Sequence, residues 1–437
     1  MRPLAEFTAS FGFEVSGSDL STFGHTSKIK SCLEGTAQEQ ALLKSAKTVV
    51  FSSAISAGHP SLDFVKGLGI TSLHRSELLA CFTKYYLTVA IAGTHGKTTT
   101  SALVAQCLRN LGADPSWIIG APFSDGQDSW RRGHSNILVI EADESDGSFL
   151  RYSRFISVLN NIEADHMDYY LTVDRLEAAF SSFLTGTDSD GGICYFGDMP
   201  PVVEAASTYS GKKLSFGSSS PCSLRLKSLL AKGLSTTAMV EHTGQLITIE
   251  LPLPGQHNVY NALASISVAS LLGFDLTAAA KAVSTFPGVQ RRLQRYPGQG
   301  PALIFDDYAH NPGKISSCLA GLAAAYPDKS LIVTFQPHRF SRISSLYDEF
   351  VKAFHGRNTT VIVLPVYAAG EASMDGFEPE KVARDIANSS GVKSFSATTL
   401  KGACELIKSI MNPDRDIVVT VGAGDVWRVA EELSRHC

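Results

Sequence analysis

Leu87-Thr88-Val89-Ala90-Ile91-Ala92-Gly93-Thr94-His95-Gly96-Lys97-Thr98-Thr99-Thr100 runs from a largely apolar strand, through a glycine-bounded turn, into a helix. Apolar residues at 103, 104, 107, 108 and 111 give that helix its buried face, and Gly112 ends it. A turn of this kind exposes backbone N–H groups at the positive end of a helix dipole, which suits an anion. Lys97 adds a mobile cation, and Thr98 puts a hydroxyl where a phosphate-bound Mg²⁺ needs an oxygen ligand. The general phosphate-loop pattern wants a glycine five places before Gly96, where this chain has Ile91, so the loop is the shorter G-x-x-G-K-T. An ordinary strand–helix turn could contain Gly-Lys-Thr. The strand before it and the helix after it favour a nucleotide-phosphate site.

Two further strands point at the same edge. Ile137 to Ile140 leads into Glu141-Ala142-Asp143-Glu144-Ser145-Asp146, and Phe155 to Leu159 leads into Asn160-Asn161-Ile162-Glu163-Ala164-Asp165-His166-Met167-Asp168. Ligands bind in the crevice outside the carboxyl ends of parallel strands. Carboxylates there can hold Mg²⁺ directly or through water. Read alone, the first segment is equally well a solvated acidic turn, and a lone histidine such as His166 is more often a hydrogen-bonding residue than a metal ligand.

Around this core the chain has 437 residues, 44% hydrophobic and 18% charged, enough for two to four domains with cores of their own. A formal charge of −4 leaves no basic footprint for nucleic acid. The eight cysteines are scattered without a CxxC pair, and Cys107 sits in an apolar run, so reduced core thiols are expected rather than disulfides or zinc. No run of roughly 18 apolar residues occurs. The expectation is a soluble, cytoplasmic protein with no membrane partner; its oligomeric state is not legible.

Strand-like runs alternate with helix-period segments through three blocks, which implies parallel sheets covered by helices. Residues 1–86 hold strands at Phe13 to Gly17 and Thr48 to Ser52, helices at Ser61 to Gly67 and Arg75 to Lys84, and the tail of a helix over Leu4 to Phe11. Residues 87–295 carry the phosphate loop and a probable hairpin about His242-Thr243-Gly244. Residues 296–437 hold strands at Leu303 to Phe305, Leu331 to Phe335, Val361 to Leu364 and Ile417 to Val421, after a linker Gly298-Gln299-Gly300-Pro301.

The loop, Glu141 to Asp146 and Asp165-His166-Met167-Asp168 resemble segments of the Mur ligases, which build the peptidoglycan stem peptide. In the same order follow Pro254-Gly255-Gln256-His257-Asn258-Val259-Tyr260-Asn261-Ala262, Gly288-Val289-Gln290-Arg291-Arg292, Asp306-Asp307-Tyr308-Ala309-His310-Asn311-Pro312, Phe335-Gln336-Pro337-His338-Arg339-Phe340-Ser341-Arg342, Leu364 to Glu371, and Gly422-Ala423-Gly424-Asp425. The resemblance implies a three-domain α/β protein: an incomplete Rossmann-like domain for the UDP-sugar, a central P-loop-type domain of mostly parallel sheet with a small β-hairpin extension for ATP, and a C-terminal Rossmann-like domain for the amino acid. Members of the family open with a strand and a glycine-rich turn that contacts the uridine diphosphate. Met1 to Phe7 resembles the helix just after that turn, so the first domain is expected without its first strand and with weaker hold on the sugar nucleotide than on ATP.

Within the family, Glu-Ala-Asp-Glu-Ser-Asp, Asp-His-Met-Asp and Gln-Pro-His-Arg look most like the members that join L-alanine to UDP-N-acetylmuramate, with ATP and Mg²⁺, through an acyl phosphate. The resemblance implies that Gly93, Thr94, His95, Gly96, Lys97, Thr98, Thr99, His257, Asn258 and Asn261 bind ATP. It implies that Thr98, Glu141 and His166 hold the metal, and that Arg292, rather than Arg291, reaches the γ-phosphate with Asp307 at the ribose. Lys97, Glu141, His166, Arg292 and Asp307 would form the catalytic set. Arg339 and Arg342, with Tyr308, His310 and His338, would take the amino acid, a guanidinium fork suiting its carboxylate. Asp19, Ser53 and Arg75 would contact the UDP-sugar. Asn311 departs from the alanine-adding members, which usually carry a second histidine there.

Three other readings are open. A ligase that reattaches a recycled peptide to the same sugar nucleotide would tend to carry an aromatic at Ser145. A non-catalytic nucleotide-binding relative would have little need of Lys97, Glu141, His166, Arg292 and Asp307. A dehydrogenase would want a third glycine after Gly422-Ala423-Gly424.

Overall fold

The computed structural model describes residues 1–19, 29–56, 58–298, 301–354 and 358–436. Gln299 and Gly300 of the expected linker lie outside the described residues. Contacts divide the chain into two units: Met1–Leu230 with Thr237–Leu251 and Gln256–Pro287, and Gly288–Cys437 with Ala231–Thr236 and Pro252–Gly255.

The first unit is built on the strand Leu87–Ala92, which lies parallel between Ile137–Glu141 and Arg154–Leu159. Outward on one side come Ser116–Ile118 and the antiparallel Trp130–Arg131; on the other come Thr187–Phe196, Lys213–Gly217 and Leu224–Lys232, then the hairpin Ser235–His242 and Gln245–Leu251. Val89 to Ala92 are wholly buried, which is why a central parallel strand reads as continuous apolar sequence. Ala90, Ala92, Leu138 and Ile140 pack in one core with Phe149, Phe180 and Phe183, the last two from the helix Val173–Thr185. The helix Lys97–Asn110 packs against Gln256–Leu271, and Cys107 is buried in it as expected. The expected hairpin is present, and its two-residue turn has positive φ at Thr243 (+48°) and Gly244 (+83°), the handedness that matches strand twist.

Residues 1–86 belong to this unit. The strand expected at Phe13 to Gly17 is Val15–Asp19, two residues later, and Phe13 itself is exposed. It pairs in parallel with Ile29–Leu33, while Thr48–Phe51 pairs with Thr71–His74. Among the described residues these remain two separate pairs rather than one sheet. The helix Arg2–Ala9 buries Leu4 and Phe7, and Phe7 meets Phe11 and Phe82 edge-on.

The second unit is a doubly wound sheet in the order Gln294–Tyr296, Leu303–Asp307, Asp416–Val421, Ser330–Phe335, Thr359–Val363, Lys393–Ser396, parallel except for the first strand. The two-residue period of a strand sorts its side chains between two cores. Phe305, Val333, Val361 and Val419 face Leu319, Leu322, Phe350 and Ile386, while Ile304, Ile332, Ile362 and Val418 face Ala403, Ile407, Val429 and Leu433. Among the described residues no helix is long and apolar enough to cross a membrane.

Candidate active site

Three neighbouring strands of the first unit end side by side. Glu141 is in register with Ile91, and the amide of Asn160 donates to the carbonyl of Ala92 at 3.1 Å. The loop Gly93–Gly96 rises from the middle strand and is held by two asparagines from its neighbour. Asn161 Oδ1 accepts from His95 N at 2.7 Å, and Asn160 Nδ2 donates to Thr100 Oγ1 at 3.0 Å. From the helix Gln256–Leu271, Asn261 Oδ1 accepts from Thr100 Oγ1 at 3.0 Å, and Asn261 Nδ2 donates to Asn258 Oδ1 at 3.2 Å. Gly96 is wedged against both: a Cβ there would stand 2.8 Å from Asn261 Oδ1 and 3.0 Å from Asn160 Nδ2, and its φ is +80°. Only glycine fits that position without displacing the asparagines. His257, at the start of the same helix, is exposed.

Lys97 does not extend freely from this loop. Its Nζ donates to both carboxylate oxygens of Glu144 and to the carbonyl of Gly93, each at 2.8 Å. Burial pulls the Lys97 pKa down, yet the carboxylates of Glu144, Asp143 and Glu141 together hold it above the ordinary lysine value. Burial pushes the Glu144 carboxyl up, and Lys97 pulls it back. The geometry is that of an ionised pair. The phenol of Tyr170 donates to the Glu144 carbonyl at 2.6 Å and fixes the backbone that carries it.

Of the three residues expected to hold a metal, Thr98 and Glu141 adjoin one another. A Cβ on Gly120 would fall 2.3 Å from Glu141 Oε2 and 2.8 Å from Thr98 Oγ1, so the bare glycine keeps open the space between them. Glu141 Oε2 is buried with no hydrogen-bond partner among the described residues. Buried carboxylate oxygens are seldom left so, and a divalent cation beside the threonine hydroxyl would satisfy it. His166 adjoins two further carboxylates: its Nε2 approaches Glu144 at 3.7 Å, and the donor atoms of Asp143, Glu144 and His166 all lie within 4.8 Å of one another. The donor set therefore fits a hard cation, with Asp143 and Glu144 added to the residues singled out from the sequence. His95 faces Glu163, its Nε2 3.1 Å from Oε2.

The residues expected at the sugar nucleotide border the same acidic segment. Ser53 Oγ donates to Asp146 at 3.4 Å, and Arg75 lies 3.9 Å from Asp143. Asp19 closes the strand Val15–Asp19, and both it and Arg75 act electrostatically on the amino group of Met1.

In the second unit the site again gathers at carboxyl strand ends. Asp307 accepts from Leu293 N and Ala309 N at 2.8 Å each; burial raises its carboxyl, and Arg292 opposes that rise. The two adjacent arginines divide their work. Arg291 bonds buried Asp306 at 3.2 Å and the carbonyl of Gly422 at 2.6 Å, whereas the Arg292 guanidinium makes no hydrogen bond among the described residues and lies over the Tyr308 ring at 5.2 Å. Tyr308 meets His310 edge-on, and His338 stacks on Tyr367 with 5.6 Å between centroids. Burial, with the help of Lys314 and Arg342, takes His310 down to about 3; burial, with Arg342 and Arg339, takes His338 to about 4. Both imidazoles are neutral at pH 7. Arg342 reaches His338 Nδ1 at 3.2 Å, and the exposed Arg339 has φ +68°. Asn311 is a helix N-cap, accepting from Lys314 N at 2.9 Å, a duty that explains asparagine at this position.

From sequence, Asn160, Asn161 and Gly120 have no role, and Glu144 only a share in the metal-holding expected of its acidic segment. Asn160 and Asn161 could have been noticed, because two adjacent amides at a carboxyl strand end beside a phosphate loop suit loop anchoring. Gly120 has no such signal.

Residues 1–87 match the Mur ligase family catalytic domain, residues 91–269 the Mur ligase middle domain, and residues 291–424 the Mur ligase glutamate ligase domain. The UDP-N-acetylmuramate–L-alanine ligase of Desulfosudis oleivorans is 35% identical over 99% of this chain and 95% of its own. That of Desulfatibacillum aliphaticivorans is 34% identical over the same shares. Among solved structures, the UDP-N-acetylmuramate-alanine ligase of Thermotoga maritima superposes with a TM-score of 0.81 at 25% identity, covering 100% of this chain and 96% of that one. A murein peptide ligase of Psychrobacter arcticus shares the fold, with a TM-score of 0.70 at 20% identity. With three domain matches in order and near-complete overlap with curated relatives, the chain belongs to the Mur ligase family.

Proposed function

We propose that this chain joins L-alanine to the lactyl carboxylate of UDP-N-acetylmuramate, consuming ATP, in the cytoplasmic synthesis of peptidoglycan precursors. The observation that carries the reading is the loop Gly93–Thr98: its lysine pairs with Glu144, and its threonine stands across Gly120 from a buried carboxylate oxygen of Glu141 that has no hydrogen-bond partner among the described residues. The names borne by relatives matched along the whole chain supply the substrates.

A carboxylate resists attack because it is negatively charged and its leaving group would be oxide. Transfer of the γ-phosphoryl group of ATP to a carboxylate oxygen, with loss of ADP, removes both obstacles. The neutral amine of L-alanine then adds to the acyl carbon, and the tetrahedral intermediate expels phosphate. Lys97 and the loop amides hold the phosphates, and Arg292 neutralises charge on the transferring phosphoryl group. Thr98, Glu141 and His166, with Asp143 and Glu144, would hold Mg²⁺, which when bound neutralises phosphate charge. Asp307 takes the ribose, and His257, Asn258 and Asn261 border the adenine. Arg339 and Arg342 orient the amino acid's carboxylate beside Tyr308 and the neutral His310 and His338. Asp19, Ser53 and Arg75 contact the sugar nucleotide.

The test is phosphate release from ATP and Mg²⁺ with UDP-N-acetylmuramate and L-alanine, with the ligated product identified by mass. Release with a peptide but not with L-alanine would assign the chain to recycling instead. No release with either would sink the ligase reading.

A further inference from the structure

The three N–H bonds of the Lys97 ammonium have three oxygen partners at 2.8 Å, one on Gly93 and two on Glu144. To bond a phosphate, Lys97 must withdraw at least one of them. Glu144 is in a worse position than the lysine. Its side chain is 1% exposed against 12% for Lys97, and no other cation lies within hydrogen-bond distance of it among the described residues. Beyond its own backbone amide, it has His166 at 3.7 Å and the repulsion of the like-charged Asp143. A carboxylate stripped of its partner in such a place has neither water nor countercharge.

We propose that Glu144 is a positioning residue that parks Lys97 and makes its release conditional on a divalent cation arriving with the nucleotide. A nucleotide alone would draw Lys97 away and leave its own negative charge facing a bare, buried carboxylate. A nucleotide carrying its cation brings the replacement charge, and Asp143 and His166 are already within 4.8 Å to share it. Glu144 thus sets the loop against cation-free nucleotide, while keeping Lys97 ionised and in place between turnovers. The inference rests on the nucleotide reading of the loop given under the proposed function.

Calorimetric titration of the full chain with ADP, once with excess Mg²⁺ and once with EDTA, tests it. In the wild type, Mg²⁺ should strengthen binding on the order of a hundredfold, as expected when a buried charge must be compensated. In Glu144→Gln the EDTA titration should tighten about tenfold and the ratio should collapse, while Glu144→Asp, which retains the charge, should restore most of it. An unchanged ratio in Glu144→Gln, with wild-type circular dichroism, would overturn the proposal. Should that variant not fold, a structure of the wild type with Mg²⁺ and nucleotide decides: Lys97 is expected off Glu144 and on phosphate, and finding it still 2.8 Å from both oxygens would overturn the idea. Wild-type protein that binds ADP under neither condition would instead defeat the nucleotide reading itself.

Discussion

Lys97 in the first unit has three protein oxygens at 2.8 Å, whereas the guanidinium of Arg292 in the second makes no hydrogen bond among the described residues and rests on the face of Tyr308. Both are cations proposed to meet the same kind of anion. A nearly buried ammonium is a compact, strongly hydrated charge and needs a counter-ion before any ligand arrives. A delocalised guanidinium is weakly hydrated and is content with an aromatic face. One site therefore waits with its lysine bonded to a counter-ion, and the other with an arginine that acts on Asp307 only through its charge. The contrast sharpens one residue earlier, where Arg291 is committed to the wholly buried Asp306.

The largest effect should come from Lys97→Met. It removes the phosphate-holding cation, and kcat/KM in the coupled phosphate-release assay should fall by about 10³-fold or more. It also leaves Glu144 buried without its countercharge, so the melting temperature should drop too. Loss of activity at an unchanged melting temperature would mean that the Lys97–Glu144 pair contributes nothing to the fold.

The adjacent arginines should separate cleanly. Arg292→Ala should lower kcat by about 10²-fold with only a small loss in urea unfolding, from its charge on Asp307. Arg291→Ala should do the reverse, costing about 2–3 kcal/mol by stranding Asp306, whose carboxyl burial already lifts to about 6. If both variants lost stability equally, the division of labour would be wrong.

A smaller effect is expected from Gly120→Ala. The added methyl would meet Glu141 Oε2 and Thr98 Oγ1, and because Glu141 can swing aside the fold should survive. The concentration of Mg²⁺ giving half-maximal rate should rise roughly tenfold. An unchanged Mg²⁺ requirement would remove Glu141 and Thr98 from the proposed metal site.

The smallest effect concerns pH. His310 and His338 are held well below the ordinary imidazole value, so the unfolded chain binds more protons than the folded one below about pH 6.5. Their contribution to stability is present above that pH and is lost as pH falls toward about 4. The melting temperature should decline between pH 7 and 5, and His338→Asn should flatten that slope. Identical slopes would show that His338 is not kept neutral by its surroundings.

Local signals were legible wherever chain neighbours decide the structure. Leu87–Ala92 has the bounds read from its apolar run, and the turn at Thr243-Gly244 forms because those two residues tolerate positive φ. The strand Val15–Asp19 was misplaced by two residues because the exposed Phe13 mimics a buried strand residue. In the candidate site, the loop, its acids and the order of the motifs could be read directly. The partnering could not. Glu144 lies 47 positions from Lys97, and nothing along the chain distinguishes it from Glu141 or Asp143. Gly120 matters only because Glu141 and Thr98 come to stand on either side of it.

The sequence alone settled the alternation of strands and helices and the family, because each depends on residue type and spacing along the chain. Tertiary structure alone decided which carboxylate holds Lys97, that Arg291 pairs with buried Asp306, and that His166 joins Asp143 and Glu144. Those choices follow from which strand ends adjoin and how deeply each charge is buried. Distance through space and access to water are quantities a linear sequence does not contain.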